Sequence, residues 1–228
     1  MQRYLLLIFL SIPFWSFAQT QVVETQVDSL YREDQFYIGA NYNFLFNKPE
    51  GVTQRNLSYG LQVGFIRDIP LNKNRNIGLG IGLGYSWDTY YTNLLATRTD
   101  QGITYSIMEG GSFKRNRIGN HLVQVPIEFR WRTSTSTDYK FWRIYTGINV
   151  GYVFASSSKF VSDSEKVRFD NDDIRNFQYG LSFNFGYGTW NIHLYYALNP
   201  LLNNGVVTDD GESIKMKPLQ LGLVFYIL

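Results

Sequence analysis

The chain has 228 residues, of which 44% are hydrophobic, 17% aromatic and 18% charged, with a formal charge of +2 and no cysteine. That length is enough for one domain with a substantial core. The missing cysteines exclude a disulfide framework and a cysteine-linked lipid anchor, and so small a charge leaves no electrostatic footprint for nucleic acid.

In chain order, residues 1–18 read as a secretory signal peptide. Arg3 supplies a short basic region, Tyr4 to Trp15 an apolar run too short for a comfortable membrane span, and Ser16-Phe17-Ala18 a small-x-small cleavage site before Gln19. Residues 19–34 follow as a polar periplasmic lead-in, with a helical turn expected around 23–31. Residues 35–228 form the remaining domain.

From Phe36 onward the chain alternates. Successive strand side chains point to opposite faces, and runs at 36–46, 58–66, 77–87, 122–131, 142–154, 177–187, 191–199 and 219–227 each carry bulky apolar residues on one face and small or polar residues on the other. The third run, Ile77-Gly78-Leu79-Gly80-Ile81-Gly82-Leu83-Gly84-Tyr85-Ser86-Trp87, has one nearly bare face. A soluble sandwich would make its outer face polar. A membrane barrel explains the pattern, since lipid takes the bulky face and glycines on the inner wall leave room for long polar side chains. The fold expected is therefore all-β, an eight-stranded antiparallel transmembrane up-and-down β-barrel.

The connections agree. Links at 47–57, 95–117, 156–174 and 200–215 are long and alternate with shorter ones at 68–76, 132–140 and 188–190, as outer loops alternate with periplasmic turns in outer-membrane barrels. Both termini are then periplasmic. Trp131, Trp142 and Trp190 mark one interfacial girdle, and Trp87, Tyr90 and Tyr91 the other.

Several motifs invite other chemistry. The glycine spacing of two is a strand face, not a dinucleotide fingerprint. The acidic runs at 170–173 and 209–212 lack calcium-loop spacing and read as solvated loop. The two histidines fall on opposite faces by parity, His121 at the outer rim and His193 in the lumen, so they do not share a catalytic site. No catalytic residue, cofactor or metal site is expected.

The inward set Gln124, Glu128, Arg130, Arg143 and Tyr145 lies on the fourth and fifth strands, with Asp88 and His193 projecting into the same lumen. Charges inside a narrow barrel need partners or water, which favours a structural polar network over transport or proton relay. Lys114, Arg115 and Arg117, at the base of the longest loop, are candidates for contact with lipopolysaccharide phosphates.

Three motifs carry a family resemblance. His121-Leu122-Val123-Gln124-Val125-Pro126-Ile127-Glu128-Phe129 resembles the fourth-strand motif of the PorT-type outer-membrane β-barrel family, with a proline best suited to a bulge. Tyr145-Thr146-Gly147-Ile148-Asn149-Val150-Gly151-Tyr152 resembles that family's next strand, and Leu219-Gln220-Leu221-Gly222-Leu223-Val224-Phe225 its closing strand. The opening Arg32-Glu33-Asp34-Gln35-Phe36-Tyr37-Ile38-Gly39, with Tyr42-Asn43-Phe44-Leu45, is similar to the members that serve type IX secretion and gliding. The resemblance implies a non-enzymatic outer-membrane accessory, needed for export of cargo with a type IX sorting domain and partnered by a larger translocon. The alternative is an independent small porin-like or ligand-binding outer-membrane barrel. The first should depend on loops and the N-terminal lead-in, the second on lumen residues.

Overall fold

A computed structural model describes residues 34–54, 56–109, 113–133 and 141–227. The signal peptide expected at 1–18 and all of the lead-in except Asp34 lie outside the described residues. Eleven strands form: β1 (Gln35–Phe46), β2 (Tyr59–Pro70), β3 (Ile77–Tyr91), β4 (Leu94–Thr99), β5 (Gly102–Ile107), β6 (Arg115–Arg132), β7 (Trp142–Val161), β8 (Lys166–Phe169), β9 (Phe177–Tyr187), β10 (Trp190–Ala197) and β11 (Lys217–Ile227). Eight of them close an antiparallel up-and-down barrel in the order β1-β2-β3-β6-β7-β9-β10-β11, with β11 returning to β1 and β6 paired to β7. Closure leaves no edge in the spanning wall, which is the condition for crossing hydrocarbon with strands.

The wall is inside out relative to a soluble domain. Leu83 is 61% exposed and Phe177 56%, within a continuous outward band of aliphatic and aromatic side chains, while Asn41, Gln62, Glu128, Arg130 and Asn184 are buried in the lumen. A band so large and apolar is stable only against lipid. On β6 it runs from Trp131 to His121, ten residues, or roughly 24 Å of height at a tilt near 45°. That is the height of the apolar belt of an outer-membrane barrel.

Two corrections concern the strands themselves. β6 and β7 run on to 18 and 20 residues, so the upper parts of the links expected at 95–117 and 156–174 are strand, and they carry two further elements, the β4–β5 hairpin and β8. Nor does Pro126 sit at a bulge. The β3–β6 register is the same on either side of it, at Ile81↔Ile127 and Gly84↔Gln124. The register shift between β6 and β7 lies instead at His121/Leu122. Pro126 keeps its pairing with Asn149 of β7 and interrupts the ladder only toward β3, where it lacks the N–H to donate.

The girdle assignment needs one change. Trp142 packs on Phe185 and Tyr187, Trp190 on Phe225, and Trp87 on His121 at the other rim, all outward. Tyr90 instead shares the inward parity of Asp88 and is only 1% exposed. It joins Leu94, Tyr105, Ile118, Leu202 and Met216 in an apolar core built by the four long connections over the mouth of the barrel.

Candidate functional site

At the short-turn end, Asp68 of β2 faces Arg130 and Arg132 of β6, all three fully buried. Arg132 donates through both terminal nitrogens to the two Asp68 oxygens, at 2.8 and 2.7 Å. Arg130 donates to Asp68 at 3.3 Å, to Glu128 Oε2 at 3.2 Å and to Gln35 Oε1 at 2.9 Å, and its guanidinium lies 4.4 Å over the Tyr145 ring. β3 stands between β2 and β6, so these side chains meet across its inner face. The bare face of β3 makes that possible: a Cβ at Gly80 would sit 2.8 Å from Arg130 Nε, and one at Gly78 3.0 Å from Asp68 Oδ1. Asp68 and Glu128 supply carboxylates to these two guanidiniums, which meets the requirement that buried ions be paired and hydrogen-bonded.

The middle of the lumen is an amide layer. Glu128 Oε1 accepts from Asn184 Nδ2 at 3.2 Å, and Asn184 Oδ1 lies 2.7 Å from His193 Nδ1. With Asn184 oriented in this way, its oxygen is the acceptor and His193 donates through Nδ1. Gln124 donates to Tyr37 and Gln62 and accepts from Asn149. Among the described residues the lumen holds a cavity of about 20 Å³ beside Tyr37, Gln124, Glu128 and His193, and another of about 20 Å³ beside Asp88, Tyr195 and Gln220. Each is of single-water size.

Toward the long loops, Asp88 accepts from Ser86 at 3.0 Å, Asn43 at 3.2 Å and Gln220 at 2.9 Å. Above it the apolar cap begins. Within it Asn171 donates to Ser158 at 2.8 Å and to Tyr105 at 3.1 Å, and Asn116 donates to the Thr92 and Leu94 carbonyls. Burial pushes the Tyr105 phenol above its ordinary range.

Gln124, Glu128, Arg130, Arg143, Tyr145 and His193 are all inward and buried, as parity requires. Gln124 belongs to the amide layer, and Arg143 turns toward the short turns, where it donates to the Gly188 carbonyl at 2.6 Å and lies 4.4 Å over Phe141. Arg130 also donates to Asp68 and Gln35, which with Arg132 and Asn184 escaped the sequence reading. Arg115 and Arg117 are not at the base of a loop but on the upper part of β6, and Lys114 is ion-paired with Asp163. His121 is bonded to Tyr85 at 2.6 Å on the outer face, on the opposite side of the wall from His193. Among the described residues no three His, Cys, Asp or Glu side chains are grouped to hold a metal ion.

The model of a family described as outer membrane protein beta-barrel domain matches residues 17–203. No curated protein matches the chain. Among solved structures, Ail, the attachment invasion locus protein of Yersinia pestis, is similar at 15% identity and a TM-score of 0.41, with 87% of this chain and all of Ail covered. Its complex with the heparin analogue sucrose octasulfate gives 14% identity and a TM-score of 0.38 over the same shares.

Proposed function

Because the chain belongs to the family of outer membrane protein beta-barrel domains, we propose that it is a non-conducting, non-enzymatic outer-membrane barrel that acts as a PorT-like accessory of type IX secretion, docking against a larger translocon and helping it assemble or gate. The observation that carries this reading is the filled lumen. One end is occupied by the Asp68–Arg130–Arg132 cluster, the middle by an amide layer, and the other end by an apolar cap, and the lumen cavities beside Glu128 and beside Asp88 are each of about 20 Å³. A folded cargo cannot use such a barrel as its conduit, and a porin would need an aqueous one. What remains for function is the outer surface: the lipid-facing wall, the cap and the N-terminal lead-in, whose terminus we assign to the periplasm with that of β11. The secretion role itself rests on the motif resemblance of the fourth, fifth and closing strands.

The test is to delete the gene in its native host and compare the secreted proteome and surface motility with those of a complemented strain. Accumulation of sorting-domain cargo in the periplasm, restored to export by complementation, is the expected result. Unchanged export in the deletion strain would remove the secretion role.

A further inference from the structure

Above the upper aromatic girdle, the outward face carries cations in register. Arg117 of β6 pairs with Lys159 of β7, and Lys159 with Arg168 of β8, so three positive side chains stand side by side across three strands. One step further up, Val161 is flanked by Arg115 on β6 and Lys166 on β8, on the same face. Cross-strand partners share a face, and the opposite face of this ribbon is committed to the cap, with Ile118 buried and Phe169 packed against the cap core. Like charges directly opposite on neighbouring strands repel. Among the described residues no carboxylate forms a salt bridge with any of the five, and Asp163 is taken by Lys114. The crowding registers on Lys159, whose ammonium is lowered below the usual lysine value by desolvation and by the charges of Arg117, Lys166, Arg115 and Arg168.

Position identifies the missing counter-charge. The row lies on the outward face that bears the lipid band, four residues beyond His121, which stacks with Trp87 at the rim. Four residues on a tilted strand raise it about 10 Å above the girdle, to the outer polar margin of the bilayer, whose headgroup layer adds roughly 5–7 Å on each side of the hydrocarbon. A soluble ligand site would be expected in the cap or lumen, not on the lipid side of the wall. We propose that Arg115, Arg117, Lys159, Lys166 and Arg168 form a binding site for the phosphate groups of the outer-leaflet glycolipid, a polyvalent anion that bridges β6, β7 and β8. Arginine forks suit phosphate bidentately, and phosphates seated between Arg117 and Lys159 and between Lys159 and Arg168 convert a repulsive row into an alternating one. This goes beyond the secretion role and stands or falls without it.

Two measurements test it on the full mature protein. The first is native mass spectrometry of the barrel extracted in mild detergent from the host outer membrane. The wild type should retain phosphorylated glycolipid, and a variant with R117E, K159E and R168E should lose most of it, at least tenfold. Phosphate-stripped glycolipid should fail to exchange in, and millimolar inorganic phosphate should fail to displace the bound lipid. Equal retention by the variant, equal binding of the stripped lipid, or release by inorganic phosphate would each overturn the proposal. The second needs only Lys159→Gln, which keeps the strand pattern. In phosphate-free detergent, removing the central charge should raise the unfolding midpoint, whereas in vesicles containing the phosphorylated glycolipid it should lower the midpoint relative to wild type. The same sign in both media would mean that the row is structural and binds no lipid phosphate.

Discussion

Asp68 is the residue on which the short-turn end of the barrel turns, because it accepts from both buried guanidiniums, and Arg130 also donates to Glu128. Asp68→Asn should therefore cost about 3–5 kcal/mol, the range for removing one partner of a buried ion pair. Glu128→Gln should cost less, roughly 1–3 kcal/mol, because Arg130 keeps Asp68 and the amide still bonds to Asn184. Urea unfolding in lipid vesicles, followed by tryptophan fluorescence, separates the two, and equal losses would contradict this division. Pairing Asp68→Leu with Arg132→Met should recover much of the loss, because an apolar pair leaves no unpaired charge. Parity alone placed Glu128, Arg130 and Tyr145 in the lumen, yet Asp68 was hidden. Arg67 breaks the apolar outer face of β2, so the strand seems to stop at Ile66; in the fold Arg67 leaves the lipid band and pairs with Asp34 at the interface, while Asp68 stays inward on a continuing strand.

At the scale of elements, the strands are legible for as long as they lie in hydrocarbon and become illegible where they leave it. Inside the bilayer every strand is apolar outward and small or polar inward, and this alternation gave the eight barrel strands, their faces and the alternation of long and short links. Beyond the upper girdle the code reverses. On β6 Arg117 points out and Ile118 in, and on β7 Lys159 points out while Ser158 faces the cap. Phe154, beside the register shift, changes the parity of β7 at the same level, so a reader following the lipid pattern loses both strands and takes their tops for loops. The cap was illegible for a further reason: Leu94, Ile174, Leu202 and Met216 are distant in sequence and meet only in three dimensions. Its packing predicts a local response to mutation. Leu94→Ala with Leu202→Ala, each fully buried, should remove about 2–5 kcal/mol apiece from cap packing. The cap should open as a unit while the barrel wall, held by its own ladders and by lipid, stays closed. Hydrogen exchange should show lost protection confined to the described parts of 47–58, 92–109, 162–176 and 198–216, with heat-modifiable gel mobility of the barrel unchanged. Loss of protection in β1 and β11 together with the cap would show that the two are not separable.

For the whole molecule, the question is whether eight strands enclose a path. An eight-stranded wall has an interior that side chains just fill, and here side chains from strands two or three places apart bond through the lumen over the strands between them, Gln220 and Asn43 both to Asp88 and Asn184 to Glu128. A permeating ion would have to break an ion cluster at one end, displace an amide layer, and pass an apolar cap with no charge in its core. These are barriers in series, so opening one leaves the others. The purified protein should give no steady unitary conductance in planar bilayers. Asp68→Ala combined with Arg130→Ala should remain silent, since the cap is untouched, and the cap-opening double variant should also remain silent, since the ion cluster is untouched. Conductance in the wild type would remove the premise of a filled lumen and favour a pore for small solutes. Conductance in only one of the two variants would identify the barrier that matters. If all three stay silent, whatever this barrel contributes to the outer membrane is exerted from its outside, where the apolar wall, the cationic row and the cap are the surfaces left to meet lipid and a larger machine.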